Sequence, residues 1–458
     1  MQFDYFSLSR LVFALTAGFH IIFPCLIIGL AIYLTALETL WLSTRKEIYR
    51  VQYQFWVKIF AAAFITGFIT GLVLSYQLDT TFNELYRETL EILVPIRRVE
   101  LINAMVLEAG ALAVMAWGWG RVGERLHFTA TLMMMSGLIV SLCCILARNS
   151  WMQTPDGFAV VDGQLVVTDW LAVVINPSFP YRLFHMLGAA VLSTAFFVTG
   201  ISAWFLLRKR DVSFARFSIR AGIATIAIAT PLQILSGDLH GLNTKEYQPV
   251  KLAAIEGLWE TRSGVPLVLF AIPDLKSEQN KYSIEIPKLA SLILTHRLDG
   301  AVEGLESVLP ERRPNVPIVF YSFRIMVALG LVMLVIGYTG LVLLRKNNLY
   351  QTRWFLRLCF VMIPGGFAAT IAGWCVTEAG RQPWVIYGLL TTSEVINTKS
   401  NLQSLHSLTL LGLTYVVLLA TFIVYVRQRV TLGPTRPSEH SANTRILHKL
   451  FKPLVKEF

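Results

Sequence analysis

The sequence predicts an all-α, polytopic membrane protein with nine transmembrane helices. Of its 458 residues, 55% are hydrophobic and only 15% are charged, whereas a soluble domain carries about 25% charged residues. The mean hydropathy is +0.57. Nine apolar runs are each about twenty residues long or longer, which is enough for a helix to cross a bilayer. Basic clusters follow every second run. Together these observations predict the fold class.

The nine runs follow one another along the chain, and each predicts one helix. They lie at about 11–42, 55–77, 95–119, 126–147, 183–207, 218–237, 317–344, 355–378 and 405–426. The first run lacks a preceding cationic segment and a cleavage site, so we expect it to remain as a span. The predicted organisation is helices one to six in 1–237, a large outer loop in 238–316, helices seven to nine in 317–427 and a basic cytoplasmic tail in 428–458.

The basic residues predict the orientation. They concentrate after the odd-numbered runs, for example at Arg45, Lys46, Arg208, Lys209, Arg210, Arg345 and Lys346. The positive-inside rule then puts the N-terminus outside and the C-terminus in the cytoplasm. The net charge of +11 is explained by these clusters, so we do not expect nucleic-acid binding.

Potential metal ligands and proton carriers fall in the outer half of five predicted spans. They are His20, Glu100, Glu108, His185, Met326 and Glu378. An unpaired ionisable side chain is costly in hydrocarbon, so an intramembrane acid or histidine indicates a functional site. The five cysteines lie in apolar runs without CxxC spacing and are interpreted as small buried hydrophobic residues.

Each of these residues also has a simpler structural interpretation. Glu378 could mark a capped helix end in a tryptophan belt, and Gly380 and Pro383 predict that the helix stops before Arg381 can pair with it. His20 could bind a neighbouring helix through a hydrogen bond. The histidine and methionine at the starts of spans five and seven could be an interfacial hydrogen-bonding group and a packing residue.

Glu100 and Glu108 predict a polar seam along span three. They are eight residues apart, which corresponds to about 80° around a helix and about 12 Å along it. Carboxylates in such a seam commonly relay protons, and Ser141 in span four could extend it. The alternative is an ion pair with Arg97 or Arg98, which suits Glu100 better than the deeper Glu108.

The most specific motif runs from Gly373 to Trp384 and has the form GWxxxExGRQPW. It resembles the signature of subunit I of cytochrome bd-type quinol oxidases. Three further segments match the same family in the same order: Asn176-Pro177 through His185, GDxxG followed by QPxKLAAIEGxWET at 237–261, and Tyr321 through Ala328. The resemblance extends from Ser9 to Trp384.

This resemblance implies two hemes b and one heme d, with heme b replacing heme d in some relatives. It implies that His185 and Met326 ligate a low-spin heme b. It assigns His20 and Glu378 to the two high-spin hemes and leaves open which of them holds heme d. Arg324 and Arg381 are implied beside heme propionates, with Trp374 on the electron path, and Glu100, Glu108 and Ser141 at the heme d site and its proton supply.

The resemblance also implies a quinol site in the outer loop, formed by Lys251, Glu256 and, less specifically, Asp238. Without the surrounding motif, a lysine and a glutamate at this spacing would indicate a solvated surface helix. The loop lacks a long extra segment found in some relatives, which is typical of a short-loop branch that includes cyanide-insensitive members. The choice between ubiquinol and menaquinol stays open.

The implied function is oxidation of quinol at the outer face and reduction of O2 to water, with charge separation across a prokaryotic cytoplasmic (inner) membrane. The implied partners are subunit II in a heterodimer, small single-helix subunits and the lipid bilayer. A different class was considered: a cofactor-free proton-coupled transporter using Glu100, Glu108 and Glu378. Such a protein would show inverted repeats and helices broken by glycine or proline, and the sequence indicates neither.

Overall fold

A computed structural model describes residues 5–396 and 401–434. Within this part of the chain, nine helical segments are long and apolar enough to cross a membrane, which confirms the prediction of nine spans. The helices are α1 (Tyr5–His20), α2 (Ile22–Thr44), α3 (Glu47–Thr81), α4 (Asn83–Glu88), α5 (Leu93–Asn103), α6 (Ala109–Trp117), α7 (Glu124–Gln153), α8 (Trp170–Val174), α9 (Phe179–Leu207), α10 (Val212–Tyr247), α11 (Pro249–Glu256), α12 (Leu289–Thr295), α13 (Val316–Arg345), α14 (Arg353–Val361), α15 (Gly365–Arg381), α16 (Thr392–Val395) and α17 (Asn401–Leu432). Short strands are β1 (Phe158–Val161), β2 (Gln164–Val167), β3 (Arg262–Ser263), β4 (Leu267–Asp274), β5 (Gln279–Ile286), β6 (Ala301–Val302), β7 (Trp384–Ile386) and β8 (Leu390–Thr391).

Proline interrupts two of the spans, which corrects the expectation of unbroken helices. The first span consists of α1 and α2, with a break at Ile21 just before Pro24. The eighth consists of α14 and α15, and Pro364 lies between them. Proline has no N–H to donate to the preceding turn and its ring crowds that turn, so a helix bends or stops there. In span one the break follows directly after His20.

A π-helical turn, Ala104–Glu108, separates α5 from α6 in span three. A π turn takes up roughly one residue more than an α turn. The two carboxylates of this span, which would be about 80° apart on a regular α-helix, therefore approach the same face of the span to within about 20°. The π turn thus brings Glu100 and Glu108 closer to one face of the span, and the sequence pattern did not reveal this turn.

Helix α9 is the centre of the bundle, and α17 lies at its edge. The apolar part of α9 is 83% buried, compared with 6% for α17. Glycines allow two neighbouring helices to approach α9 closely: a Cβ on Gly29 would lie 2.2 Å from Thr194 Oγ1, and one on Gly366 would lie 2.5 Å from Ser193 Cα. Small residues at such contacts are typical of membrane helix packing, which depends on close van der Waals contact.

The loop between spans six and seven is a folded unit. Helix α10 continues to Tyr247, ten residues beyond its predicted end at 237, so the loop starts at Gln248. It contains α11, α12, the β3–β6 pair and the antiparallel β4–β5 hairpin, in which Leu267 pairs with Ile286. Its apolar residues pack on the start of α13 at Val316 and Val319. Most of the predicted basic tail lies outside the described residues.

Candidate functional site

A single cavity of about 1460 Å³ brings together most of the predicted site residues. Its lining includes His20, Glu100, Glu108, Ser141, Trp374, Glu378 and Arg381. These residues come from four spans. The volume exceeds the roughly 300–1,000 Å³ of a pocket for one drug-sized ligand. The cavity can therefore hold a large cofactor or more than one group. It brings together four of the six predicted ligands and proton carriers, His20, Glu100, Glu108 and Glu378.

Glu378 is held by two partners on the cavity wall. Arg381 Nη2 donates to its Oε2 at 2.5 Å, and Asn149 Nδ2 donates to its Oε1 at 2.8 Å. The prediction that the helix ends before Arg381 was wrong, because α15 continues through this residue and the pair forms one turn apart. Two further N–H groups of Arg381, at Nε and Nη1, are buried without a hydrogen-bond partner among the described residues. They can accommodate an anionic group in the cavity.

His20 ends α1 and lines the cavity. Its Nδ1 lies 2.9 Å from Thr70 Oγ1 on α3. Its Cε1 packs against Gly71, where a Cβ would lie only 3.2 Å away. The hydrogen bond to a neighbouring helix, considered from the sequence as an alternative to metal binding, is present. It uses one ring nitrogen and leaves Nε2 for another partner.

His185 and Met326 lie apart from the cavity lining. His185 Nδ1 is 3.1 Å from Ser236 Oγ on α10, and Gln233 Nε2 donates to the His185 carbonyl at 2.9 Å. Met326 on α13 packs against Gly373, where a Cβ would lie 2.9 Å from its sulfur. His185 Cε1 packs against Gly237 of α10, where a Cβ would lie 3.2 Å away, so both of these candidate ligands contact a glycine of an adjacent helix, as His20 does.

The two acids of span three have different partners. Glu108 Oε1 accepts hydrogen bonds from Ser141 Oγ at 2.6 Å and from Asn103 Nδ2 at 3.1 Å. Glu100 forms an ion pair with Arg148 of α7, not with either arginine of its own span. Both acids line the cavity. Ser141 lines it as well and bonds to the deeper acid, and the role of these residues in a proton path stays a prediction.

Lys251 and Glu256 are both buried, so the alternative of a solvated surface helix is wrong. They lie at opposite ends of α11 and, being five residues apart, about 140° apart around it. Lys251 Nζ donates to Gln153 Oε1 at 2.5 Å, whereas Glu256 Oε2 has no hydrogen-bond partner among the described residues. The two side chains therefore face different surroundings. Asp238, the third predicted residue of the quinol site, is exposed and lies on α10, before the loop begins.

Burial shifts the pKa values of both loop residues. It lowers the pKa of the Lys251 ammonium well below its usual value, and Arg182 and Arg381 lower it further while Glu378 opposes them. Burial raises the pKa of the Glu256 carboxyl, and Arg324 partly offsets this effect. Both shifts favour the uncharged forms, which suits groups that exchange protons near neutral pH.

Arg324 has a role in the structure that the sequence did not suggest. Its guanidinium donates to the carbonyl oxygens of Ile255 at 2.6 Å and of Val268 at 2.6 and 3.0 Å. It also lies 3.4 Å from the centre of the Phe320 ring. The side chain therefore anchors the loop to α13, and contact with a propionate stays a prediction.

Several polar residues of the site were missed from sequence. They are Thr70, Asn103, Arg148, Asn149, Gln153, Arg182 and Ser236. Span four was predicted to end at 147, but α7 runs to Gln153 and so carries three of them inside the bundle. The available signal was the polar run Arg148-Asn149-Ser150, which directly follows an apolar stretch.

Comparisons with known proteins identify similar chains over nearly the full length. Residues 8–434 match the family model described as cytochrome bd terminal oxidase subunit I. The chain is 31% identical over 446 residues to the cytochrome bd ubiquinol oxidase subunit 1 of Bacillus subtilis (strain 168), covering 94% of this chain and 95% of the relative. It is 29% identical over 502 residues to the cytochrome bd-II ubiquinol oxidase subunit 1 of Escherichia coli (strain K12), covering 94% and 97%. The fold matches the solved bd oxidase from Geobacillus thermodenitrificans with a TM-score of 0.88 and 27% identity, covering 94% of this chain and 99% of that one.

Proposed function

This chain belongs to the cytochrome bd terminal oxidase subunit I family, and from that premise we propose that it is the heme-bearing subunit of a quinol oxidase that reduces O2 to water. The family match confirms the resemblance predicted from GWxxxExGRQPW and the expectation of an oxidase. The observation that carries the proposal is the shared cavity, whose wall holds His20 and Glu378 together with Glu100 and Glu108.

The residues around the cavity fit hemes. The two unpartnered N–H groups of Arg381 are buried on the cavity wall and suit a propionate, since guanidinium groups bind carboxylates strongly. We propose His185 and Met326 as ligands of a low-spin heme b, and His20 and Glu378 as ligands of the two high-spin hemes. The proposed set is two hemes b and one heme d, or heme b in place of heme d. When bound, the hemes supply iron for single-electron transfer and for reaction with O2.

The chain's own residues prepare this site for electron and proton transfer. Asn149 and Arg381 fix both oxygens of the Glu378 carboxylate, so its orientation is set before any ligand binds. Trp374 lines the same cavity and is proposed to lie on the electron path. Arg324 holds the loop close to α13, and we propose that this stabilises the part of α13 that carries Met326, a proposed ligand of the low-spin heme b.

Quinol oxidation is proposed at the loop. Glu256 is the more suitable proton acceptor, because its Oε2 is buried without a hydrogen-bond partner in the described part of the chain and its pKa is raised by burial. Lys251 is proposed to act from the other face of α11, where its bond to Gln153 links the loop to α7. Asp238 stays a weaker candidate. Two quinols supply the four electrons that reduce one O2 to two molecules of water.

Protons for water formation are proposed to reach the cavity along Glu108 and Glu100. Ser141 and Asn103 orient the Glu108 carboxylate, and Arg148 holds Glu100. If quinol protons leave outside while these protons come from the cytoplasm, charge is separated across the membrane without a pump. This direction follows from the basic loops, which favour an outer N-terminus and a cytoplasmic C-terminus.

The proposed setting is the prokaryotic cytoplasmic (inner) membrane, in a heterodimer with subunit II and with small single-helix subunits. Ubiquinol or menaquinol is the proposed electron donor. Relatives of this chain are described as ubiquinol oxidase subunits, which supports the choice of a quinol.

An absorption spectrum of the purified heterodimer tests the proposal. We expect a Soret band, three hemes per chain by pigment extraction and quinol-dependent consumption of O2. Met326→Leu should convert the low-spin iron signal to high-spin and leave the other two hemes in place. Purified protein without a Soret band would overturn the oxidase function, and an unchanged low-spin signal would reject the assignment of Met326.

A further inference from the structure

The two histidines proposed as heme ligands are held in the same way by their neighbours. His20 Nδ1 lies 2.9 Å from the Thr70 hydroxyl, and His185 Nδ1 lies 3.1 Å from the Ser236 hydroxyl. In both cases the hydroxyl belongs to another helix, α3 or α10. The same ring nitrogen is engaged in both histidines, which leaves Nε2 of each ring available.

The hydroxyl protons are already used within their own helices. Thr70 Oγ1 donates to the Gly67 carbonyl at 3.0 Å, and Ser236 Oγ donates to the Gln233 carbonyl at 3.2 Å. A hydroxyl has one proton, so it must accept its remaining hydrogen bond from the imidazole. With each hydroxyl donating within its own helix, the arrangement favours a histidine that carries its proton on Nδ1 and presents a lone pair at Nε2, which is the form that binds a metal ion.

A glycine follows each hydroxyl residue and provides room for the ring. A Cβ on Gly71 would lie 3.2 Å from His20 Cε1, and a Cβ on Gly237 would lie 3.2 Å from His185 Cε1. Both glycines are within helices. A larger residue at either position would press the ring away from its hydroxyl partner.

We propose that Thr70-Gly71 and Ser236-Gly237 are two copies of one histidine clamp, which fixes the Nδ1–H tautomer and directs Nε2 toward a heme iron. The inference rests on the proposed function, since it concerns how the ligands are positioned. Thr70 and Ser236 are positioning residues, because they act through the imidazole. Hydrogen bonds to the far nitrogen of a ligating histidine fix the ring and raise its basicity, and losing them commonly lowers metal affinity about 10- to 100-fold.

Hydroxyl side chains in membrane helices often bond only to a carbonyl of the preceding turn. Thr66 and Thr230 do this: they donate to the carbonyls of Ala62 and Ile226. They lie on the same two helices as the clamp residues and so provide matched controls. The clamp differs from this common arrangement by its second bond to a histidine and by the glycine that follows.

The test uses Thr70→Val and Ser236→Ala in the complete heterodimer, with heme content, redox titration and electron paramagnetic resonance as readouts. Each variant should affect its own heme alone. Ser236→Ala should change the low-spin signal, shift that heme toward the reduced form at a fixed potential and lower its retention about tenfold. Thr70→Val should do the same to one high-spin heme and spare the low-spin signal.

Further variants separate the clamp from a general loss of structure. Thr70→Ser and Ser236→Thr keep the hydroxyl and should restore the parent spectra, while Thr66→Val and Thr230→Val should leave all three hemes unchanged. Gly71→Ala and Gly237→Ala should reproduce the heme-specific changes with the hydroxyl intact.

The possible failures are distinguishable. Parent protein that contains no heme overturns the proposed function itself. If the parent protein contains three hemes and both Thr70→Val and Ser236→Ala keep its spectroscopic signals and redox potentials, the clamp is overturned and the proposed function is not. If a clamp variant loses all its heme, recovery in the hydroxyl-retaining variant supports the clamp, and failure to recover overturns it.

Discussion

The Glu378–Arg381 pair shows how much of this protein depends on single buried charges. Each group is almost enclosed, with side-chain exposures of 16% and 4%. Asn149 also donates to the carboxylate, whereas Nε and Nη1 of the guanidinium have no hydrogen-bond partner within 5–396 and 401–434. Removing one member of a buried pair leaves the other charge uncompensated, which costs more than the pair itself contributes.

Glu378→Gln should therefore lower stability by about 3–5 kcal/mol and remove one high-spin heme. Thermal unfolding in detergent and heme content per chain measure the two effects. Glu124→Gln is the matched control, because Glu124 is an exposed partner of Arg45 and surface pairs contribute about 0–1 kcal/mol. A variant with the full heme content would contradict the proposed role of Glu378.

Glu256 should give the protein a pH-dependent stability. Its pKa in the folded protein is raised above 4.5 by burial, so the folded state holds more protons than the unfolded chain above that pH. Its contribution is complete below about pH 4.5 and declines as the pH rises through the folded-state pKa. Glu256→Gln should flatten this decline in thermal unfolding measured from pH 4.5 upward.

Glu285→Gln, which changes an exposed residue of β5, should keep the parental pH profile. Identical slopes in the parent and the Glu256→Gln variant would show that this carboxyl does not carry the effect.

The sequence indicated candidate site residues more readily than the partners of those residues. An acid or histidine in an apolar run stands out in any span, which is why His20, Glu108 and Glu378 were recognised. Partners such as Asn149 and Ser236 come from other helices, and the sequence carries no direct record of those contacts. Lys251 and Glu256 lie on different faces of α11, and this could be recognised only once the structure showed that the segment is helical.

Arg324 connects the helices and strands of the outer loop to span seven. Its bonds to the carbonyls of Ile255 and Val268 connect α11 and β4 to α13. Hydrogen bonds to a charged group contribute about 1.5–3 kcal/mol. The loop is therefore attached to α13 at Arg324, two residues before Met326.

Arg324→Lys should loosen the loop, because an ammonium lacks the planar set of donors that reaches both carbonyls. We expect amide hydrogen exchange in 248–273 to accelerate about tenfold or more, since tenfold corresponds to about 1.4 kcal/mol. Arg345→Lys, at the exposed far end of α13, is the control and should leave exchange in the loop unchanged. Equal exchange in parent and variant would reject the anchoring role.

Element boundaries were predictable where hydropathy changes sharply and failed where helices continue through polar sequence. α7, α10 and α15 all extend past their predicted ends at the candidate site. Several polar residues there bond to other helices, as Asn149 does to Glu378 and Gln153 does to Lys251. The π turn in span three has no distinctive composition, so the pattern of apolar residues could not reveal it.

For the whole molecule, the nine spans and the family were both predictable from the sequence. The apolar runs are long and separate, and the motif around Glu378 is chemically specific. Family membership also favours an oxidase over a proton-coupled transporter. The orientation of the bundle is the large-scale property that most needs a direct test.

Ser277→Cys and Asn347→Cys report that orientation. Both positions are exposed, one between β4 and β5 and the other after α13. A thiol reagent that cannot cross membranes should label the first in intact cells and the second only after the cells are opened. The unsubstituted protein is the control for labelling of its five cysteines, and the reverse pattern would invert the proposed direction of charge separation.

Arg324 and Met326 are two residues apart, so about 3 Å of helix separates the loop's anchor from a proposed iron ligand. A molecule that reshapes the loop on arrival must either break the anchor's bonds or displace that turn of α13. In the second case, occupancy of the proposed quinol site would alter the surroundings of the proposed heme before any electron has moved, and the optical spectrum of the oxidised protein would report substrate binding directly.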